Sequence, residues 1–78
     1  MLEYKYMNSD SMDVKARRQF GDQVKLSREK LGMTQADVAD KANMTVNYFA
    51  MIERGEVNPS FEKMKSIAKV LKLKITIS

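Results

Sequence analysis

The sequence predicts a mainly α fold: one compact domain of four to five helices, with room for short β-strands at its two termini. Apolar residues recur at spacings of three and four over residues 14–31 and 61–72, which is the period of a helix with one buried face. Between these segments, "TQADVADKANMTVNYFAMIERG" indicates two helices about two turns long, joined by a sharp corner. Helices that short are marginal alone, so the longer helices must pack against them.

The first helix is expected from Val14 to about Leu31, with Gly32 as the residue that allows a left-handed turn at its end. Its core-facing stripe is Phe20, Val24, Ser27 and Leu31.

The corner has its own start and stop signals. Thr34 is a good N-cap, and Asp37, three residues on, makes a short-acid capping box for a helix over residues 35–42. Asn43 tolerates the left-handed conformation that a turn needs, and Thr45 is the next N-cap. The apolar surface of the second helix is expected from small residues and one valine: Ala36, Val38, Ala39 and Ala42.

The third helix is expected over residues 46–54, ending at Gly55, with Phe49 and Ile52 facing the core. Ser60 is the N-cap of a fourth helix over residues 61–72. The apolar stripe of that helix is Phe61, Met64, Ile67, Ala68 and Leu71.

Both ends of the chain alternate at strand period. Leu2, Tyr4 and Tyr6 alternate with charged residues before the polar, turn-rich stretch 8–13. From Leu71 onwards apolar residues alternate with Lys, Thr and Ser, which predicts a terminal strand. Its partner is either the N-terminal segment or the same strand of a second subunit, because an unpaired edge strand is a liability.

Composition excludes several classes of function. The chain has no cysteine and no histidine, so a disulfide framework, a thiolate metal site and the usual general base are absent. No pair of acids is visibly placed to hold a metal, and we expect no catalytic residue, metal or cofactor.

No apolar run approaches membrane-spanning length and no signal peptide is visible, so the expected location is the cytoplasm. The net charge of +4 favours an anionic partner such as nucleic acid.

Three separated blocks, "GMTQADVADKA", "IERGEVNPS" and "SIAKVLKLK", resemble the Cro-repressor-type (Xre) helix-turn-helix family over residues 18 to about 73. The resemblance implies a phage-repressor-like helix-turn-helix domain over residues 14–72. Residues 1–13 would then be a leader, flexible or a short strand, and residues 73–78 a C-terminal strand in a dimer contact.

The same resemblance implies a sequence-specific DNA-binding transcriptional regulator, a repressor that binds a palindromic operator as a homodimer. The third helix would enter the major groove of double-stranded DNA, near the nucleoid of a prokaryote or phage host. The implied DNA-binding residues are Gln35, Thr45, Val46, Asn47, Tyr48, Ala50, Met51, Arg54, Asn58, Ser60 and Lys63.

These residues would take different roles. Thr45, Val46, Asn47, Ala50 and Met51 are the candidates for contact with base edges. Asn47 is the only bidentate reader among these five, and its natural target is adenine, whereas Val46, Ala50 and Met51 suit thymine methyl groups. Contacts to the phosphate backbone would come from Tyr48, Arg54, Asn58, Ser60 and Lys63, and Gln35 would bind a phosphate or orient the third helix. A third helix this apolar differs from the third helix of many family members. It predicts a site that favours A·T base pairs and is read in part through DNA shape.

The resemblance also implies a largely buried ion pair between Arg28 and Glu53. An alternative function stays open: a protein-interaction module, such as an antitoxin that binds a toxin or a coactivator-type bridging domain. The apolar character of the third helix favours this alternative, because Val46 and Met51 would then pack against the body of the domain or a protein.

Overall fold

Four α-helices form the body of the domain, and one short strand lies on either side of them in the chain. The computed structural model describes residues 3–6 and 13–77, with side chains for residues 13–74. The elements are β1 Glu3–Tyr6, α1 Val14–Lys30, α2 Gln35–Lys41, α3 Val46–Glu53, α4 Phe61–Leu71 and β2 Lys74–Ile77. Helices α1 and α2 each pack against both α3 and α4. The predicted mainly α fold is confirmed.

Each of the last three helices begins at the predicted N-cap. Thr34 Oγ1 accepts from the amide of Asp37 at 3.0 Å, while Asp37 Oδ2 accepts from the amide of Thr34 at 2.9 Å. Thr45 and Ser60 cap α3 and α4 in the same way. The cap of α1, Asp13, accepts from the amide of Ala16 at 2.7 Å and was not identified from the sequence.

Left-handed residues end the helices. Gly32, Asn43 and Gly55 have φ values of 67°, 60° and 73°, as their positions after the predicted helices required. Lys72, with a φ of 56°, ends α4 without any glycine or asparagine signal in the sequence. Its amide donates to the carbonyl of Ala68, which gives this conformation a local hydrogen bond.

The core lies between the helices and contains most of the predicted apolar stripes. Its largest fully buried side chains are Phe20, Val24, Val38, Phe49, Ile52, Met64 and Ile67. Two predicted core positions are wrong. Leu31 is 44% exposed because α1 ends at Lys30 and the chain turns away there. Ala36 is exposed because a helix of seven residues buries one face, and Val38 and Ala39 occupy it.

Gly21 sits where α1 crosses the C-terminal end of α3. A Cβ atom built on Gly21 would clash with the carbonyl oxygen of Glu53 and lie 2.7 Å from that of Ile52. The two backbones therefore approach closer than any other residue at position 21 allows. A sequence reading gives no sign of this, since glycine within a helix is merely a weak helix former.

The two strands pair with each other in parallel, in the register Glu3 with Lys74 and Tyr6 with Ile77. Of the two partners considered for the terminal strand, the structure shows the N-terminal segment of the same chain. The strand starts at Lys74, three residues later than the alternating pattern, because α4 continues to Leu71. Leu2, the polar residues 8–12 and the side chains at 75–78 lie outside what the structure describes.

We expect Gly21→Ala to destabilise the domain by about 1–3 kcal/mol, the usual cost of overpacking. Helix propensity alone predicts the opposite sign, a gain of about 1 kcal/mol. Urea unfolding measures the difference, with Asp22→Ala at the adjacent exposed position as the control, expected within about 0.5 kcal/mol of the parent. A Gly21→Ala variant as stable as the parent would contradict the close crossing.

The capping box of α2 should make stability depend on pH. Hydrogen bonds from the backbone and side chain of Thr34 lower the pKa of Asp37. A carboxyl whose pKa is lower in the folded state stabilises the fold above its unfolded pKa of about 4, and this contribution is lost as pH falls through the folded value. Urea midpoints of the parent and Asp37→Ala should therefore differ at pH 7 and converge below about pH 4. A gap that stays constant to lower pH would refute this coupling.

Candidate nucleic-acid interface

Helix α3 has one buried face and one face open to solvent. Phe49, Ala50, Ile52 and Glu53 are buried, and they turn toward α1 and α2. The opposite face carries four side chains at helical spacing: Val46, Asn47, Met51 and Arg54. Val46, Asn47 and Arg54 are exposed and Met51 is half-buried. This open face is short, polar at Asn47 and Arg54, and apolar at Val46 and Met51.

A buried carboxylate fixes the orientation of α3. Glu53 Oε2 lies 2.6 Å from Arg28 Nε, and the two side chains are only 4% and 13% exposed. Arg28 Nη2 also donates to Glu53 Oε1 at 3.3 Å, and Arg28 Nη1 donates to the carbonyl oxygen of Met33 at 2.9 Å. The hydrogen bond to Glu53 raises the pKa of Arg28 above its usual value, so this guanidinium stays charged.

Gln35 joins this network from the start of α2. Its Nε2 donates to Glu53 Oε1 at 2.9 Å. One carboxylate therefore joins α1, α2 and α3. The geometry of Gln35 suits the orienting role considered for it, and one amide hydrogen and the carbonyl oxygen are not used in this bond.

The residues on which DNA contact was predicted differ in how much surface they offer. Ala50 is only 9% exposed, so its methyl group has little surface left for a base. Thr45 is exposed, with its hydroxyl accepting from the amide of Tyr48 at 3.1 Å. Tyr48 is partly buried and packs against the core. Most of the surface that α3 itself leaves open therefore belongs to Val46, Asn47 and Met51.

Asn47 and Met51 lie one turn apart and touch. Asn47 Nδ2 lies 3.8 Å from Met51 Sδ. Thioether sulfur is a weak acceptor, so the amide of Asn47 is oriented by this contact without being tightly held. Such an amide is free to exchange its sulfur contact for a stronger acceptor.

The remaining residues that were predicted to contact DNA lie between α3 and the first turn of α4. Asn58 and Ser60 are exposed, and Lys63 is partly so. Ser60 Oγ accepts from the amide of Lys63 at 3.2 Å. This cap presents the first turn of α4 next to the loop that follows α3.

Arg54 closes the C-terminal end of the open face with an ion pair. Its Nε and Nη2 donate to the two oxygens of Glu56 at 2.8 and 3.0 Å. These bonds raise the pKa of Arg54 and lower the pKa of Glu56. Sequence reasoning missed Glu56. The available signal was Arg-Gly-Glu, in which a basic and an acidic residue stand on either side of the glycine that ends the helix.

Over residues 13–74, no group of three acidic residues is placed to hold a metal ion. Within the described helices, none is both long and apolar enough to cross a membrane.

A family model described as helix-turn-helix matches residues 24–77, the corner and its open helix included. The chain belongs to the helix-turn-helix family. The resemblance to the Xre type found in the sequence is thereby confirmed.

Known relatives of this helix-turn-helix chain include two regulators. It is 34% identical over 56 residues to the immunity repressor protein of Bacillus phage phi105, covering 72% of this chain and 39% of that protein. It is 33% identical over 57 residues to the transcriptional regulator ClgR of Mycobacterium tuberculosis, covering 73% and 51%. The chain thus spans about half or less of the length of these curated relatives.

The fold is also that of solved helix-turn-helix structures. Two crystal structures of the clp gene regulator ClgR from Corynebacterium glutamicum match with TM-scores of 0.72 and 0.73. They are 24% and 21% identical, and cover 74% and 86% of this chain and 62% and 83% of theirs. At this identity the match concerns the fold.

Truncating Glu53 should be costly, since it leaves Arg28 with a buried, unpaired charge. We expect Glu53→Ala to destabilise the domain by about 3–5 kcal/mol. Asp40→Ala, which removes an exposed carboxylate from α2, should stay within about 0.5 kcal/mol of the parent. Thermal and urea unfolding of the two variants measure the difference in stability. Equal stability of the two variants would contradict the structural role of Glu53.

Proposed function

We propose that this chain is a sequence-specific DNA-binding transcriptional regulator whose α3 reads the major groove. The observation that carries the proposal is the exposed face of α3, held on a body that the Glu53 network keeps rigid. An exposed helix of this kind fits the major groove, which is about 12 Å wide. The relatives named as a repressor and a transcriptional regulator support this role, in which the protein acts as a binder and not as an enzyme.

Reading would fall to few residues. Asn47 supplies a donor and an acceptor for one adenine, and its loose contact with Met51 is easily exchanged for the base. Val46, 44% exposed, and Met51 would contact thymine methyl groups. Much of the preference would then come from the shape and stiffness of A·T-rich DNA. Thr45 and Ala50 would add small contacts to base edges. Contacts to the phosphate backbone, which position the domain on DNA, would come from Gln35, Tyr48, Arg54, Asn58, Ser60 and Lys63.

We propose further that the regulator is a homodimer and represses by occupying a palindromic operator in the cytoplasm. A twofold dimer would present two α3 helices about 34 Å apart, one turn of DNA. Residues 14–72 would form the DNA-binding unit. Because β1 covers one edge of β2, the remaining edge of residues 74–77 is the surface offered to a second subunit.

Parallel selection of bound duplexes from a random pool, with the parent and with Asn47→Ala, tests the reading. Near-physiological salt keeps charge alone from deciding the result. The parent should enrich an A·T-rich inverted repeat, with half-sites about one turn apart. Asn47→Ala should lose the preference for one adenine per half-site, by about 1–3 kcal/mol.

The matched control is Asn58→Ala, which should weaken binding to all duplexes alike and leave the enriched sequence unchanged. A single half-site would contradict the dimer. No enrichment at all would contradict the proposed function. Val46 and Met51 would then be the surface for a protein partner, as in an antitoxin that binds a toxin or a bridging module.

A further inference from the structure

The guanidinium group of Arg54, which the proposed function assigns to the DNA backbone, forms an ion pair with Glu56. Both side chains are about half exposed, 53% and 50%, and they stand on either side of Gly55. The two hydrogen bonds use the Nε–Nη2 edge of the guanidinium, the edge that forms a fork with two oxygens. Glu56 thus occupies the edge of Arg54 that a phosphate group would use in the proposed function.

We propose that Glu56 is a built-in electrostatic brake on DNA binding, an acidic side chain that competes with backbone phosphate for Arg54. This inference rests on the proposed DNA-binding function. It assigns to Glu56 a regulatory role at the same surface, since a phosphate can take the Nε–Nη2 edge of Arg54 only when the pair with Glu56 is broken.

The strength of the brake follows from its exposure. A carboxylate and a phosphate both offer two oxygens to a guanidinium, so the exchange replaces one fork by a similar one. Exposed pairs hold weakly, because water and salt compete for both charges. The brake should therefore reduce affinity by about two- to fivefold, and not abolish binding.

The brake would act on every sequence alike. Phosphate contacts carry no sequence information, so Glu56 lowers the affinity for random DNA as much as that for an operator. While Arg54 is paired, it releases few counterions on binding. Removing Glu56 should therefore steepen the salt dependence by about one unit of logarithmic slope.

The test uses fluorescence anisotropy with a random-sequence 20-base-pair duplex at several KCl concentrations. Four proteins are compared: the parent, Glu56→Gln, Arg54→Gln and the double variant. Glu56→Gln should bind about two- to fivefold more tightly than the parent, with the steeper slope. In the Arg54→Gln background the same Glu56 change should have little effect, because there is no guanidinium left to release.

Glu62→Gln is the matched control. It makes the same charge change in the first turn of α4, beside Lys65 and Lys69 rather than in the ion pair with Arg54. Both altered glutamates are exposed, so the variants should fold like the parent, which circular dichroism melting verifies. Glu62→Gln should raise the affinity less than Glu56→Gln.

Two results would overturn the brake while leaving DNA binding in place. Equal gains from Glu56→Gln and Glu62→Gln would mean that only overall charge matters. An undiminished gain from Glu56→Gln without Arg54 would mean that Glu56 repels DNA directly. If neither the parent nor Glu56→Gln binds any duplex at low salt, the proposed function fails and the brake with it.

Discussion

The carboxylate of Glu53 is the contact on which the arrangement of the other helices depends. It is the last residue of α3, and it accepts hydrogen bonds from Arg28 of α1 and Gln35 of α2. Helices of seven and eight residues, α2 and α3, have too few internal hydrogen bonds to persist alone. A buried ion pair of this kind adds little net stability over an apolar replacement, but it permits only one orientation. Its effect here is to define the angle at which α3 leaves the body.

Close backbone packing supplies the second constraint on α3. Gly21 lets α1 pass against the carbonyl groups of Ile52 and Glu53, and Gly55 lies against Arg18 of the same helix. Arg17 Nε donates to the carbonyl oxygen of Gly55 at 3.3 Å. The C-terminal end of α3 is thus held by an ion pair, by close backbone contact and by a hydrogen bond. At the N-terminal end, the contact of this kind is the hydrogen bond of the cap at Thr45. Contacts of these kinds are therefore more numerous at the C-terminal end of α3 than at the end that carries Val46 and Asn47.

The sequence predicts what is encoded within a few neighbouring residues. Thr34, Thr45 and Ser60 begin helices, and Asn43 and Gly55 end them, because caps and left-handed turns are local chemistry. The apolar stripe of α4 is equally local, since its period is visible in one segment. The family resemblance supplied the pairing of Arg28 with Glu53, which no local pattern contains.

What the sequence could not give depends on distant segments or on competing local preferences. The need for glycine at position 21 arises only when α1 crosses α3. Leu31 follows the helical period yet is exposed, because the helix ends one residue before it. Lys72 adopts a left-handed conformation that its residue type does not favour, so tertiary packing around Leu71 and Leu73 decides it.

Parallel pairing of β1 with β2 joins segments at opposite ends of the described chain. Residues 14–71 already contain the helices and most of the buried side chains, and their contacts join segments that are closer in sequence than β1 and β2 are. Strand β1 by contrast has no partner until β2, at the other end of the described chain, has been synthesised. Pairing of β1 with β2 closes the longest loop among the described elements, so this two-stranded sheet carries the largest loop-closure entropy cost of any contact between them.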